Sequence, residues 1–200
     1  GLDPTQVTAD GGAAQYFQPT WSPVADRLVW GQANQDGFGV GSSTGDGSDL
    51  QLVPTSSNPF YLNWSPDGSQ VAILYGGVQG VILEVVDMEQ FTASPVGSGS
   101  PFYFSWHPDS TGRAVHVGAN DFGTIALGEP LVDLGGTAAT YQAPYWTPKG
   151  IIHFADAGLE LVDPEGEDRL LATLTGEPVF FVANPQGTKV AVESFTDQEA

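Results

Sequence analysis

The chain has 200 residues, a formal net charge of −19 from 24 acidic and 5 basic side chains, and no cysteine. The lack of cysteine excludes disulfides, thiolate metal sites and a cysteine nucleophile. The shortage of Lys and Arg argues against nucleic acid or an anionic membrane surface as a partner. No apolar run approaches the roughly 18 residues of a membrane span, so membrane insertion is not expected. High glycine (26) and proline (15) favour short strands joined by tight turns.

A tryptophan-centred repeat runs along the chain. Trp21, Trp64, Trp106 and Trp146 are 43, 42 and 40 residues apart, and Ala183 takes the same position 37 residues later. Self-similarity at a fixed period of this length is the signature of a repeat architecture. The aligned segments are residues 18–23, 61–68, 103–109, 143–150 and 181–187.

Each repeat has the composition of a small antiparallel sheet. An apolar strand leads into the tryptophan, and a turn of the Pro-Asp-Gly type follows it. The next strand, such as residues 71–75, is apolar at every position, which predicts cover on both of its faces. A glycine-rich loop, such as residues 31–37 or 76–80, a third strand and a weaker fourth strand complete the unit. Four antiparallel strands in about 40 residues form one β-propeller blade.

The fold class predicted is therefore all-β, a single propeller domain over residues 1–200. Four complete blades are expected at about 15–53, 60–96, 102–134 and 141–174, with a partial fifth at 179–194. Residues 1–14 are a possible ring-closing strand. Either the ring has five blades and lacks one strand, or the chain is part of a ring of six or seven blades, which we favour. Because it begins at Gly1, we expect the chain to be processed or cut from a longer protein, and a removed export signal is compatible with this.

The block Trp-Ser-Pro-Asp-Gly, intact at residues 64–68, resembles the WD40-like repeat of TolB-type periplasmic propellers, a repeat also found in propeller domains of prolyl-oligopeptidase relatives. The resemblance covers residues 14 to 195. The second and third repeats share a further Pro-Phe-Tyr block, at residues 59–61 and 101–103, which looks like a bacterial TolB-like subfamily. The resemblance implies a propeller fold but no particular activity.

Loops at one end of the blades are the predicted binding surface, since a rigid scaffold commonly carries its binding residues on loops. Equivalent loops of successive blades are expected to meet at a channel mouth. Their amide, carboxylate and aromatic side chains suit a protein, peptide or glycan. The candidate residues are Asn34, Gln35, Asp36, Phe38, Asn58, Phe60, Tyr61, Phe102, Tyr103, Asn120, Asp121 and Phe122.

Structural roles compete with binding at these positions. Asn, Asp and Gly commonly make turns, and aromatic residues that begin inner strands commonly pack in the core. The four repeat tryptophans are expected to pack between blades, not to stack on a sugar. The acidic turns at residues 46–49 and 163–168 do not match a helix-flanked calcium loop, so they are expected to be solvated.

No catalytic constellation stands out, and neither a cofactor nor a metal site is expected. His107, His116 and His153 are scattered over a turn and two strands, although the last two occupy similar places in adjacent blades. The segment Gly41–Gly45 matches the nucleophile-elbow pattern around Ser43, but that motif needs a strand-to-helix turn, and no helix is expected there.

Three functions remain open. A non-catalytic binding or scaffold module of the bacterial envelope or extracellular space is favoured, with a periplasmic or extracellular location. The alternatives are the substrate-filtering propeller of a larger prolyl-oligopeptidase-like hydrolase, and a propeller glycosidase or lyase. The low content of Lys and Arg is compatible with a halophilic, a marine or an extracytoplasmic source.

Overall fold

A computed structural model describes residues 6–9, 12–118, 121–135 and 142–195. Within these ranges the secondary structure is eighteen β-strands without a helix, and so no helix there could cross a membrane. The strands are β1 (Gln15–Trp21), β2 (Arg27–Asn34), β3 (Gly37–Thr44), β4 (Gln51–Thr55), β5 (Pro59–Trp64), β6 (Gln70–Gly77), β7 (Gly80–Asp87), β8 (Thr92–Gly99), β9 (Phe102–Trp106), β10 (Gly112–Val117), β11 (Asp121–Ala126), β12 (Val132–Asp133), β13 (Tyr145–Thr147), β14 (Gly150–Ala155), β15 (Gly158–Val162), β16 (Asp168–Ala172), β17 (Glu177–Ala183) and β18 (Val190–Phe195).

The strands form five antiparallel meanders. Four sheets have four strands each, in the orders β1-β2-β3-β4, β5-β6-β7-β8, β9-β10-β11-β12 and β13-β14-β15-β16, and β17 pairs with β18 in a two-stranded fifth sheet. We call these sheets the first to fifth blades. The predicted fold class is confirmed: the chain is all-β, with four complete propeller blades and a partial fifth. How the ring closes stays a prediction.

The turn after the repeat tryptophan is held by its own side chains. In the second blade, Asp67 Oδ1 accepts hydrogen bonds from Ser65 Oγ (2.7 Å) and from the backbone N–H of Ser69 (3.0 Å). Gly68 has a φ of 70°, a conformation that favours glycine. Asp109 accepts from the Thr111 N–H at 3.0 Å in the same way in the third blade. The turn chemistry read from the sequence therefore has a geometric basis.

Hairpins between the second and third strands are tighter than expected. The glycine-rich loops predicted at residues 31–37 and 76–80 are mostly strand, because β2 runs to Asn34 and β6 to Gly77. Only two residues separate each pair of strands. Gly37 and Gly80 have φ of 140° and 124°, so the glycines close the turns instead of forming flexible loops.

The chain divides into two compact units, Gly1–Ser98 and Gly99–Ala200. In the first unit, one hydrophobic core joins the first and second blades. Val29, Val40 and Val53 come from the first blade, and their partners come from the second. The partners in the second blade are Leu62, Trp64, Val71, Ile73, Tyr75, Val86 and Met88.

Two such cores are formed by the described residues of the second unit. One brings Ala114 and Phe122 of the third blade together with Ile151 and Val162 of the fourth. The other lies between the fourth and fifth blades. The fourth blade is therefore covered on both faces, as the apolar residues of β14 predict.

Glutamine side chains form hydrogen bonds with the backbone of the neighbouring blade. Gln18 Oε1 accepts from the backbone N–H of Leu62 at 3.2 Å, and Gln142 Oε1 accepts from that of Phe181 at 3.3 Å. Leu62 and Phe181 each lie two residues before the repeat position of Trp64 and Ala183. Gln142 Nε2 also donates to the Phe181 carbonyl at 3.0 Å. In both pairs of blades, a glutamine side chain therefore bonds the backbone at the same repeat position of the next blade.

The repeat tryptophans have unequal environments. Trp64 and Trp106 are buried and Trp146 is half-buried, whereas Trp21 is 55% exposed. The indole N–H of Trp64 donates to the Thr20 carbonyl of the first blade at 3.2 Å. Packing between blades, predicted for all four, does not hold for Trp21, because no preceding blade covers it in the described residues.

This difference supplies a matched pair of variants. Trp64→Ala should lower the free energy of unfolding by about 3–5 kcal/mol, since it removes a large buried aromatic side chain. Trp21→Ala should cost less than about 1 kcal/mol, as is usual for an exposed position. Chemical denaturation of both variants is the measurement. Equal losses would contradict the burial seen at Trp64.

Candidate functional site

The predicted binding residues of the first unit lie at one end of its blades. Asn34 makes the β2–β3 turn, because its Oδ1 accepts from the N–H groups of Asp36 (2.9 Å) and Gly37 (3.1 Å). Gln35 and Asp36 are exposed at the tip of the turn. Asn34 therefore has a structural role, as the turn alternative predicts, while its two neighbours are available for contact.

Three aromatic side chains are exposed near this turn. Phe38 follows the turn and pairs with Thr55, the last residue of β4. The exposed Asn58 and the start of β5 come next along the chain. Phe38, Phe60 and Tyr61 are 41%, 48% and 39% exposed. We call residues 35–38 and 58–61 the aromatic end of the first unit. Aromatic residues are enriched at protein-binding surfaces relative to the rest of the protein surface.

The candidates of the second unit differ in exposure. Phe102 is 3% exposed and Phe122 is 1% exposed, so the side chains of both predicted binding residues belong to the core. Tyr103 is half-buried, with its ring 5.9 Å from that of His116. Asp121 is exposed, and Asn120 lies outside the described residues.

One local irregularity explains why equivalent phenylalanines differ. The pairing of β5 with β6 shifts between Pro59 and Tyr61, whereas β9 pairs regularly with β10 through Phe102. A bulge changes the face to which the following side chains point. Phe60 is therefore exposed while Phe102, in the same Pro-Phe-Tyr block, is buried.

Grooves between neighbouring blades occur at the opposite end, where the tryptophan turns lie. In the first unit a groove of about 270 Å³ includes Arg27, Trp64 and Glu89. In the second unit a groove of about 580 Å³ includes His107 and Trp146. Both grooves lie beside the repeat tryptophan of the later blade. Neither groove was predicted from the sequence. Because the two grooves occupy equivalent places, we attribute them to the packing of one blade against the next.

Two carboxylates of the first blade, those of Asp46 and Asp49, form local hydrogen bonds or ion pairs. Hydrogen bonds from Thr44 and Ser48 lower the pKa of Asp46 to about 2. Arg27 forms an ion pair with Asp49 and lowers the pKa of that carboxyl. These contacts give the acidic residues of the segment 46–49 a structural role in the turn.

Charged and ionisable groups are also buried in the second unit. Arg113 is 1% exposed, with its guanidinium 4.0 Å from the centre of the Trp106 ring, and desolvation lowers its pKa to about 10. His116 and His153 are buried, and desolvation lowers the pKa of each ring. The His153 ring stacks on Phe122 at 4.1 Å, across the third and fourth blades. His107 lies in a turn, where its Nδ1 accepts a hydrogen bond from the backbone N–H of Asp109 at 3.1 Å.

Comparison with solved structures shows the fold. The chain aligns with TolB from Acinetobacter baumannii at a TM-score of 0.60 and 17% identity, over 92% of this chain and 47% of that one. It aligns with the propeller domain of the Trilobed protease from Pyrococcus furiosus at 0.63 and 12%, over 86% and 60%. A prolyl endopeptidase gives 0.62 and 15%, over 82% and 30%.

The resemblance to TolB-like propellers is confirmed at the level of fold. No family model and no curated protein matches the sequence. This chain spans between about a third and three-fifths of the three similar structures. What those proteins bind or hydrolyse is therefore a property of longer chains.

Ser43 allows a test of whether this chain has a serine nucleophile. It lies inside β3, is fully buried, and donates its hydroxyl to the Thr44 carbonyl at 2.9 Å. A fluorophosphonate probe should leave it unmodified, because a nucleophile must be exposed at a strand-to-helix turn in this motif. Intact-protein mass spectrometry is the measurement. Stoichiometric labelling at Ser43 would contradict its placement.

Proposed function

We propose that this chain is a propeller binding module that takes a peptide segment of a partner protein at the aromatic end of the first unit. The observation that carries the proposal is the exposure of Phe38, Phe60 and Tyr61 beside the turn that carries Gln35 and Asp36. Each ring gives a peptide an apolar surface, and the amide and carboxylate supply hydrogen-bond partners.

Electrostatics favours a neutral or basic peptide. The net charge is −19, and Asp36 adds a carboxylate at the aromatic end. A negative field repels acidic segments and raises the encounter rate with basic ones. Aromatic residues are also enriched among the few side chains that dominate the affinity of an interface.

Asymmetry supports this end over the turn end. The turns that follow Trp64 and Trp106 share the same aspartate-centred hydrogen bonds, so turn chemistry accounts for their residues. Phe60 and Phe102 differ in exposure despite their equivalent sequences. A specific ligand requires a surface that differs between blades, and the aromatic end has one.

A location in the periplasm or outside the cell is part of the proposal, with a bacterial source. Its support is the resemblance to TolB-type periplasmic propellers. Cell fractionation of the native host, with the protein detected by antibody, tests the location. Recovery in the cytoplasmic fraction would contradict it.

The propeller domain of a larger peptidase is a second candidate. The similarity to the propeller of the Trilobed protease and to a prolyl endopeptidase favours it. The two candidates differ in what the gene encodes beyond this segment. A continuous reading frame with an α/β-hydrolase segment would favour the peptidase.

Peptide binding is testable without knowing the natural partner. A phage library of random dodecapeptides, selected on the immobilised chain, should yield binders that lose about tenfold or more in affinity for Phe60→Ala. Val24→Ala is the matched control, because Val24 is 65% exposed in the turn between β1 and β2, at the other end of the first unit. Biolayer interferometry measures both.

Two outcomes would contradict the proposal that the chain binds a peptide. One is a selection that returns no binder above background. The other is a set of binders that weaken with Val24→Ala and tolerate Phe60→Ala. A parallel glycan array distinguishes the glycan alternative, since binding to sugars alone would replace the peptide as ligand.

A further inference from the structure

Three potential metal ligands converge on the fourth blade. They are His153 on β14, Glu160 on β15 and Asp168 on β16. One ring nitrogen of the histidine and one carboxylate oxygen of each acid lie within 4.8 Å of one another. Ligand atoms at about 2.0–2.2 Å from one cation are at most about 4.4 Å apart, so a small side-chain adjustment brings all three atoms into coordination distance.

Sheet register explains the convergence. His153 and Glu160 are directly paired across β14 and β15. Asp168 pairs with Val162, which lies two residues from Glu160 on β15. Paired residues, and residues two apart on one strand, point to the same face of a sheet. All three side chains therefore share the face that carries Val162, which packs on the third blade.

The imidazole of His153 is placed as a ligand. The residue is 3% exposed, and its Nδ1 lies 3.1 Å from the Phe154 carbonyl, to which an Nδ1–H can donate. Its Nε2 is buried and has no hydrogen-bond partner within the described residues. A buried nitrogen without a partner is costly. Metal-binding histidines commonly donate one N–H to a backbone carbonyl and coordinate through the other nitrogen.

We propose that His153 Nε2 and the carboxylates of Glu160 and Asp168 bind a divalent transition-metal cation, Zn²⁺ or Mn²⁺. Imidazole favours Zn²⁺ and the two carboxylates also suit Mn²⁺, whereas Ca²⁺ and Mg²⁺ prefer oxygen ligands alone. Phe122, stacked on the imidazole at 4.1 Å, fixes the plane of the ring. Glu160 is half-buried and Asp168 is exposed, so the cation can enter from solvent on the side of β16.

Binding there would stabilise the outer strand of the blade. All five residues of β16 are exposed, so few apolar contacts hold this strand. A cation shared by β14, β15 and β16 ties the strand to the buried part of the sheet. The site lies in the second unit and is independent of the peptide proposed for the first.

The test is zinc titration of chelator-treated protein by isothermal calorimetry, with Ca²⁺ in large excess. A chain with a net charge of −19 has many acidic surface groups that bind cations weakly. The excess Ca²⁺ occupies these groups, so that they do not contribute to the Zn²⁺ signal. One saturable Zn²⁺ site is expected, and Mn²⁺ should bind at the same site more weakly. Glu160→Gln and Asp168→Asn should each weaken Zn²⁺ by about tenfold or more, since even losing a group that supports a ligand costs 10- to 100-fold.

Asp156→Asn is the matched control, because Asp156 is an exposed acid in the β14–β15 turn of the same blade. It should leave the affinity unchanged, and circular dichroism verifies that every variant is folded. Three results would overturn the proposal. They are no saturable Zn²⁺ binding, displacement of Zn²⁺ by the excess Ca²⁺, or an equal loss in Asp156→Asn.

Discussion

The fold depends on one constraint: the second strand of a blade must be buried on both of its faces. Residues 71–75 of β6 and all of β10 are buried, so neither strand can face water on one side as in a simple two-layer protein. Each blade therefore needs a neighbour, and apolar area buried between blades contributes about 25 cal/mol per Å². The Phe154 and Phe181 rings, 5.0 Å apart across the fourth and fifth blades, are a direct example.

Because the faces of the blades pack against one another, the groups available for binding are those at the ends of the blades and the polar side chains buried between them. At one end of the first unit, aromatic side chains remain exposed because they lie beyond the shared core. In the second unit, the core between the third and fourth blades encloses His153 beside apolar partners. A peptide surface and a metal site can therefore occur on one scaffold without sharing residues, which agrees with the variety of ligands that rigid repeat architectures present on loops.

Features that depend on neighbouring residues could be predicted from the sequence, whereas the pairing register of the strands could not. The turn after Trp64 and the run of apolar residues in β6 are properties of neighbouring residues, so they predicted blades correctly. Phe60 and Phe102 have the same local sequence, and only the irregular pairing at Pro59–Tyr61 separates their exposure. The three proposed metal ligands were not predicted for a similar reason, because Glu160 and Asp168 meet His153 only through strand pairing.

A double-mutant cycle between blades tests the shared core most directly. Unfolding free energies are measured for the wild type, Phe154→Ala, Phe181→Ala and the double variant. Rings in edge-to-face contact predict a coupling of about 0.5–1.5 kcal/mol, so that the double variant loses less than the sum of the single losses. Additivity within about 0.3 kcal/mol would show that the two blades do not depend on one another and would contradict the propeller packing described here.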